Sequence, residues 1–397
     1  MSLQTFNFVA DRIVKGKAYP ALATWQAEPY TADWQKFVQH YPHTVPCELH
    51  EHCQDFGVPY HLWSIDDAFP VGSYYTIGIG FFNFNVDYFG LMSDKVQDAL
   101  RTGQLTALFY YHEGDNPYNI KERLDNLCLA WQLPQECYRF VSGNTEAKKI
   151  PSFVYFPDHE LLYWRRNKLT IPTPIHTNTR GRDFTVLSRT HKWWRATAVA
   201  DLKRNGLLDN SYWSYNTCVT IDDNELDNPI EIDTLEIREY LQEFLSQGPY
   251  SCDTLTDQEH NNHSMIETTH FTDSYCNIVL ETHFDADQSD GAFLTEKTFK
   301  AIKHGQPFVI VGPAGSLAAL RSLGYYTFDY TIDNSYDEIT NNTERWQAVI
   351  AAIQKIHSGD MKQWFYSCRA GIEHNQQLFV ATKADRLNRL LTRLQTL

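Results

Sequence analysis

With 397 residues, 43% of them apolar and 21% charged, the chain has the composition of a globular protein long enough to bury two cores. Its formal net charge of −15 argues against an extended polyanion-binding face and leaves nucleic acid only as a locally bound partner. No apolar run reaches the roughly 20 residues of a bilayer crossing, the opening MSLQTFNFVADRIVKGK has no signal-peptide core, and the eight cysteines lack paired short spacings. A cytoplasmic chain with reduced thiols and no membrane contact is expected.

Residues 1–70 carry short apolar stretches broken by Pro and His, without a sustained period. From Tyr74 the pattern sharpens: YYTIGIGFF reads as a strand, Ser93 to Arg101 as a helix and LTALFYY as a buried strand. That strand runs into His112-Glu113-Gly114-Asp115. Asn116 and Pro117 then suit the N-cap and first position of a helix through KERLDNLCLAWQ, before the strand CYRFVSGN. Alternating strands and helices predict a parallel sheet covered by helices.

The Pro- and Thr-rich segment IPTPIHTNTRGRD marks a boundary, placed at 175/176. A second alternating series follows: the strand FTVLSR, a helix from Lys192 to Asn205 stopped by Gly206, the strand NIVLETHF, the helix TEKTFKAIKH stopped by Gly305, the strand PFVIVG and the helix SLAALRSLG. The acidic stretch DDNELDNPIEIDTLEI reads as an insertion leading into the helix REYLQEFLSQG, and the chain from Thr343 to Leu397 reads as largely helical. The expected fold is α/β, with Rossmann-like domains over 1–175 and 176–375 facing a central cleft, and a bracing helix over 376–397.

The chemistry concentrates at two strand-to-helix turns. Thr295 suits a helix cap and Glu296 the positive helix end, but Lys297 in the same turn is opposed by the helix dipole unless an anion binds there. Arg189, His191, Lys192 and Arg195 cluster in the same way after FTVLS. In a doubly wound sheet such turns lie at the carboxyl ends of strands, where ligands bind. Two basic turns suggest a diphosphate, neutralised by Lys297 with Arg189 or Arg195.

The run Thr295-Glu296-Lys297, Phe299-Lys300-Ala301 and His304-Gly305-Gln306-Pro307-Phe308-Val309-Ile310 resembles the signature of fucosyltransferase-like and exostosin-like GT-B glycosyltransferases, phage-encoded members included. The segment FTVLSRTHKWWRATAVADLKRNGLLD resembles the start of their donor domain. The resemblance spans about residues 180–340. It implies a nucleoside diphosphate sugar as donor substrate with no required cofactor, Glu296 on the ribose or sugar, Lys297 and Arg189 on the diphosphate, and Glu281 as a hydroxyl contact. By the same analogy Glu113 is the first choice of general base in the acceptor domain and Asp115 the second. Inversion and retention both stay open. The acceptor hydroxyl would belong to a glycan, a small molecule or a hydroxymethylated DNA base. The alternative is a carbohydrate- or nucleotide-binding module without turnover.

Two other signals compete. His43, Cys47, His50, His52 and Cys53 are enough ligands for zinc but match no closed-site spacing, and Asp285-Ala286-Asp287 reads better as a solvated loop than as a metal-binding pair. Neither is counted as a metal site.

Overall fold

The computed structural model describes residues 5–10, 12–14, 17–19, 49–79, 82, 84–167, 179–215, 232, 235–252, 267–285 and 291–397. The chain divides into two compact units, Met1–Leu161 with Thr382–Leu397, and Leu162–Ala381. The boundary expected at 175/176 falls outside the described residues.

The first unit contains β1 (Phe6–Ala10), the small hairpin β2 (Arg12–Val14) and β3 (Lys17–Tyr19), α1 (Leu49–Asp55), β4 (Tyr60–Ser64), β5 (Ser73–Ile79), α2 (Asp94–Arg101), β6 (Leu105–Tyr111), α3 (Pro117–Ala130), β7 (Tyr138–Ser142) and β8 (Phe153–Tyr155). Helix α4 (Asp158–Asn167) starts in this unit and crosses into the second. Six strands pair in parallel in the order β4-β1-β5-β6-β7-β8. Every residue of β5 is buried, as expected of a strand covered on both faces.

The second unit continues with β9 (Arg182–Ser188), α5 (Trp193–Arg204), β10 (Tyr212–Tyr215), α6 (Leu235–Ser246), α7 (Thr268–Thr272), β11 (Ser274–Leu280), α8 (Glu296–Lys303), β12 (Phe308–Val311) and α9 (Ser316–Ser322). Helices α10 (Asn342–His357), α11 (Met361–Ser367) and α12 (Arg369–Ala381) follow. Its parallel sheet has the order β10-β9-β11-β12. Gly206 (φ 71°) and Gly305 (φ 67°) take left-handed backbone just beyond α5 and α8, which is why those helices stop there. Both units are thus Rossmann-like α/β layers, and the end of the chain is helical as expected.

Helix α13 (Lys383–Gln395) returns to the first unit and buries Leu387, Leu390, Leu391 and Leu394 among Phe6, Phe8, Tyr74 and Leu108. Their three- and four-residue spacing gives one apolar stripe. At its start, Lys383 Nζ lies 2.6 Å from Glu160 Oε1 and Arg386 Nε 2.6 Å from Oε2, all three side chains almost wholly buried. Among the described residues no helix is long and apolar enough to cross a membrane.

Candidate functional site

The strand order of the second unit defines the site. After β9 the chain steps through α5 to β10 on one side; after β11 it steps through α8 to β12 on the other. The adjacent carboxyl ends of β9 and β11 therefore form the topological switch point, where ligands bind in open α/β sheets. Both basic turns arrive there.

Glu281 follows the last residue of β11 and is fully buried. Its carboxylate accepts from the Thr295 amide (3.1 Å), the Thr295 hydroxyl (2.5 Å) and the Thr298 hydroxyl (2.6 Å), holding the first turn of α8 against the strand end. Thr295 in turn accepts from the Lys297 amide at 3.4 Å as the N-cap. Arg195, in the first turn of α5, directs Nε (3.1 Å) and Nη2 (2.5 Å) at the Glu281 carbonyl. Burial pushes this guanidinium below its usual range, with Glu281 and Glu296 opposing the shift. Glu281 and Arg195 thus join the two turns through contacts within the chain.

Two lysines meet at the next residue. Lys192, the N-cap of α5, donates from Nζ to the Thr282 carbonyl at 2.7 Å; Lys297 donates to the Thr282 hydroxyl at 3.3 Å and to that of Thr295 at 3.1 Å. Glu296 Oε1 lies 3.3 Å from Lys297 Nζ, whose side chain keeps 27% of its exposure. The first turn of α5 contains no acidic residue, so its positive end adds to this cationic edge. Half-buried Arg189 sits between β9 and Lys192. His191 Nδ1 and the Tyr215 hydroxyl, 2.5 Å apart, close the β10 side.

Arg345 at the start of α10 supports the loop from behind. Its guanidinium lies 4.3 Å from the Phe284 ring centroid and donates to the Phe284 carbonyl at 2.5 Å, while Phe284 stacks on Trp194 of α5 at 5.3 Å. Nothing in the local sequence singled out Arg345 for this loop, because Phe284 is 61 residues away; its other bonds, to Ile339, Thr340 and Asn342, are local.

In the first unit the switch point lies between β1 and β5, and Glu113 follows the neighbouring strand β6. Its Oε1 is 4.0 Å from His112 Nε2 and 4.0 Å from His159 Nε2, with 25% of the side chain exposed. Asp115 instead accepts from the Tyr111 hydroxyl, while Asn116 caps α3 by accepting from Tyr118 N (2.9 Å) and Asn119 N (3.2 Å). Behind this turn, buried Asp158 accepts from His52 (2.8 Å) and from the Tyr110 hydroxyl. Burial alone would raise the Asp158 carboxyl, but the charge and hydrogen bond of His52, with His112 and Tyr110, hold it well below the carboxylate range.

His52 is thereby occupied, and His43 and Cys47 lie outside the described residues; no group of three or more His, Cys, Asp or Glu side chains suited to a metal occurs among the described residues. Asp285 lies in a loop, and Asp287 is outside the described residues. Asn277, without a role in the sequence reading, bonds Gln306 at 3.0 Å inside the core.

No protein-family model matches the chain, and no curated protein is similar to it in sequence. Among solved structures it is similar to a T4 phage BGT mutant in complex with UDP-glucose, and to the DNA-modifying enzyme β-glucosyltransferase determined with and without its substrate uridine diphosphoglucose. Each match has a TM-score of 0.37 and 10% identity, and covers 98% of this chain and 99% of the other. Likeness at this level speaks neither to residues nor to substrates.

Proposed function

We propose that the chain transfers a glycosyl group from a nucleoside diphosphate sugar to an acceptor hydroxyl. The observation that carries this reading is the convergence of Lys192 and Lys297, from two different turns, on Thr282 at the switch point of the second unit. Two ammonium groups at the positive ends of two helices make a site for a doubly charged anion.

In this proposal Lys297, Lys192 and Arg189 take the diphosphate, Glu296 takes a ribose or sugar hydroxyl, and Thr295 fixes the turn. Arg195 and Glu281 serve from one layer behind, where their hydrogen bonds hold the two turns together. The acceptor oxygen attacks the anomeric carbon, the bond from that carbon to the phosphate oxygen breaks, and the departing diphosphate is neutralised by the lysines. Glu113 takes the acceptor proton, with Asp115 the second candidate. The fixed cations supply the countercharge, so the proposal requires neither a metal nor a cofactor.

The Thr295-Glu296-Lys297 turn also supports relating this unit to fucosyltransferase-like and exostosin-like enzymes. The acceptor class includes glycans, small hydroxylated molecules and hydroxymethylated DNA bases. The test is a thermal-shift panel of nucleoside diphosphates and nucleotide sugars, with and without chelator. A ligand at 100 to 1,000 times its Kd stabilises by about 2.7 to 4 kcal/mol. A selective shift that chelator leaves intact supports the reading; no shift with any member overturns it. A shift with no sugar transfer in any acceptor screen would favour the module without turnover.

A further inference from the structure

Glu113 is not isolated in its turn. One imidazole, His112, comes from the same β6–α3 turn, and a second, His159, comes from the first turn of α4. Their Nε2 atoms are each 4.0 Å from the same carboxylate oxygen, and the two rings are 6.0 Å apart. His159 keeps only 7% of its exposure. Asp158 bonds His52 and Tyr110 and also lies within reach of the His112 charge, while Glu160 pairs with Lys383 and Arg386. Glu113, at 25% side-chain exposure, faces both imidazoles from its turn.

We propose that His112 and His159 are positioning residues for Glu113, placing two imidazoles 4.0 Å from Oε1 so that their charge biases the carboxylate toward presenting its other oxygen to the acceptor hydroxyl. This rests on the reading of Glu113 as the base. His159 adds a constraint that His112 cannot, because it belongs to a different element and so fixes the turn relative to α4.

The first test does not depend on turnover. Ring-proton NMR titrations of the full chain would compare wild type with Glu113→Gln. Removing an anion 4.0 Å from both Nε2 atoms should lower the titration midpoints of His112 and His159 by about one pH unit or more. Unchanged midpoints for His112 and His159 would overturn the inference while leaving the donor-site reading intact.

The second test uses release of nucleoside diphosphate from the nucleotide sugar that gives the thermal shift, with water as acceptor. His159→Phe should cut kcat about tenfold or more with the donor KM within twofold, and His159→Gln should recover part of the loss. Added to Glu113→Gln, His159→Phe should have no further effect, whereas a merely structural role gives additive losses. If Glu113→Gln itself retains full activity, both this inference and the role of Glu113 fall. The donor site is judged separately, by nucleotide binding alone.

Discussion

Replacing Lys297 by alanine tests the donor site at its center. The ammonium group stands at the meeting of β11 and α8, bonded to the Thr282 and Thr295 hydroxyls and 3.3 Å from a Glu296 oxygen. A hydrogen bond to a charged partner is worth about 1.5 to 3 kcal/mol, which corresponds to roughly 10- to 150-fold in Kd. Because Lys297 exchanges existing contacts for the diphosphate, the lower part of that range applies, and about 10- to 30-fold weaker binding is expected. Lys300, one turn on with Nζ 6.0 Å from the Tyr163 ring centroid, is the matched control. Its alanine variant should change affinity less than about twofold, a difference below 0.5 kcal/mol. Isothermal titration of wild type and both variants with the nucleoside diphosphate selected by the panel reads the difference. Equal losses for Lys297→Ala and Lys300→Ala would refute the phosphate role of Lys297.

The remaining predictions concern stability and are read from urea unfolding. Glu281→Ala removes three hydrogen bonds to a buried carboxylate and should cost about 3 kcal/mol; a loss below about 1 kcal/mol would deny that Glu281 builds the β11–α8 junction. Burial, reinforced by Lys303 and Lys300, depresses His304 to about 3. Protons then bind the unfolded chain first as pH falls below about 6.5, so stability from this group is full above that pH and declines toward 3. Between pH 6.5 and 5 the wild type should lose about 2 kcal/mol that His304→Gln does not lose, and parallel pH profiles would contradict the assignment. Lys383→Met removes one of the two cations paired with buried Glu160 and should cost about 3 kcal/mol, partly recovered in combination with Glu160→Gln. A neutral single substitution would show that the cluster contributes no net stability.

The sequence revealed local punctuation well. Asn116-Pro117, Thr295, Gly206 and Gly305 mark the ends of α3, α8 and α5 because caps and left-handed glycines act within one turn. It was silent over β1 and β4, five-residue strands whose pairing depends on partners about fifty residues away. In the candidate site, the sequence picked out the cations and set Lys297 and Arg189 ahead of Arg195, but it gave Lys192 no separate role. Lys192 becomes prominent only when its Nζ is seen beside Thr282, and Arg195 recedes because its guanidinium reaches the Glu281 carbonyl, contacts that span 86 to 90 residues. His159 and Arg345 carried no local signal, since each acts on a loop supplied by a distant strand.

The placement of α13 has a consequence for how the polypeptide acquires its structure during synthesis. The first unit is interrupted: its sheet precedes Leu161, but the leucine stripe and the two cations that complete it follow Ala381. Until those residues emerge from the ribosome, Glu160 lacks these two cations and the face around Phe6, Phe8 and Leu108 lacks this cover. The second unit is continuous and is fully translated first, so the order of synthesis favours its folding ahead of the domain that begins the chain, contrary to the usual N-to-C sequence. Emergence of α13 is therefore the event that lets the first unit close, and the nascent protein would hold a formed second unit before the first is complete.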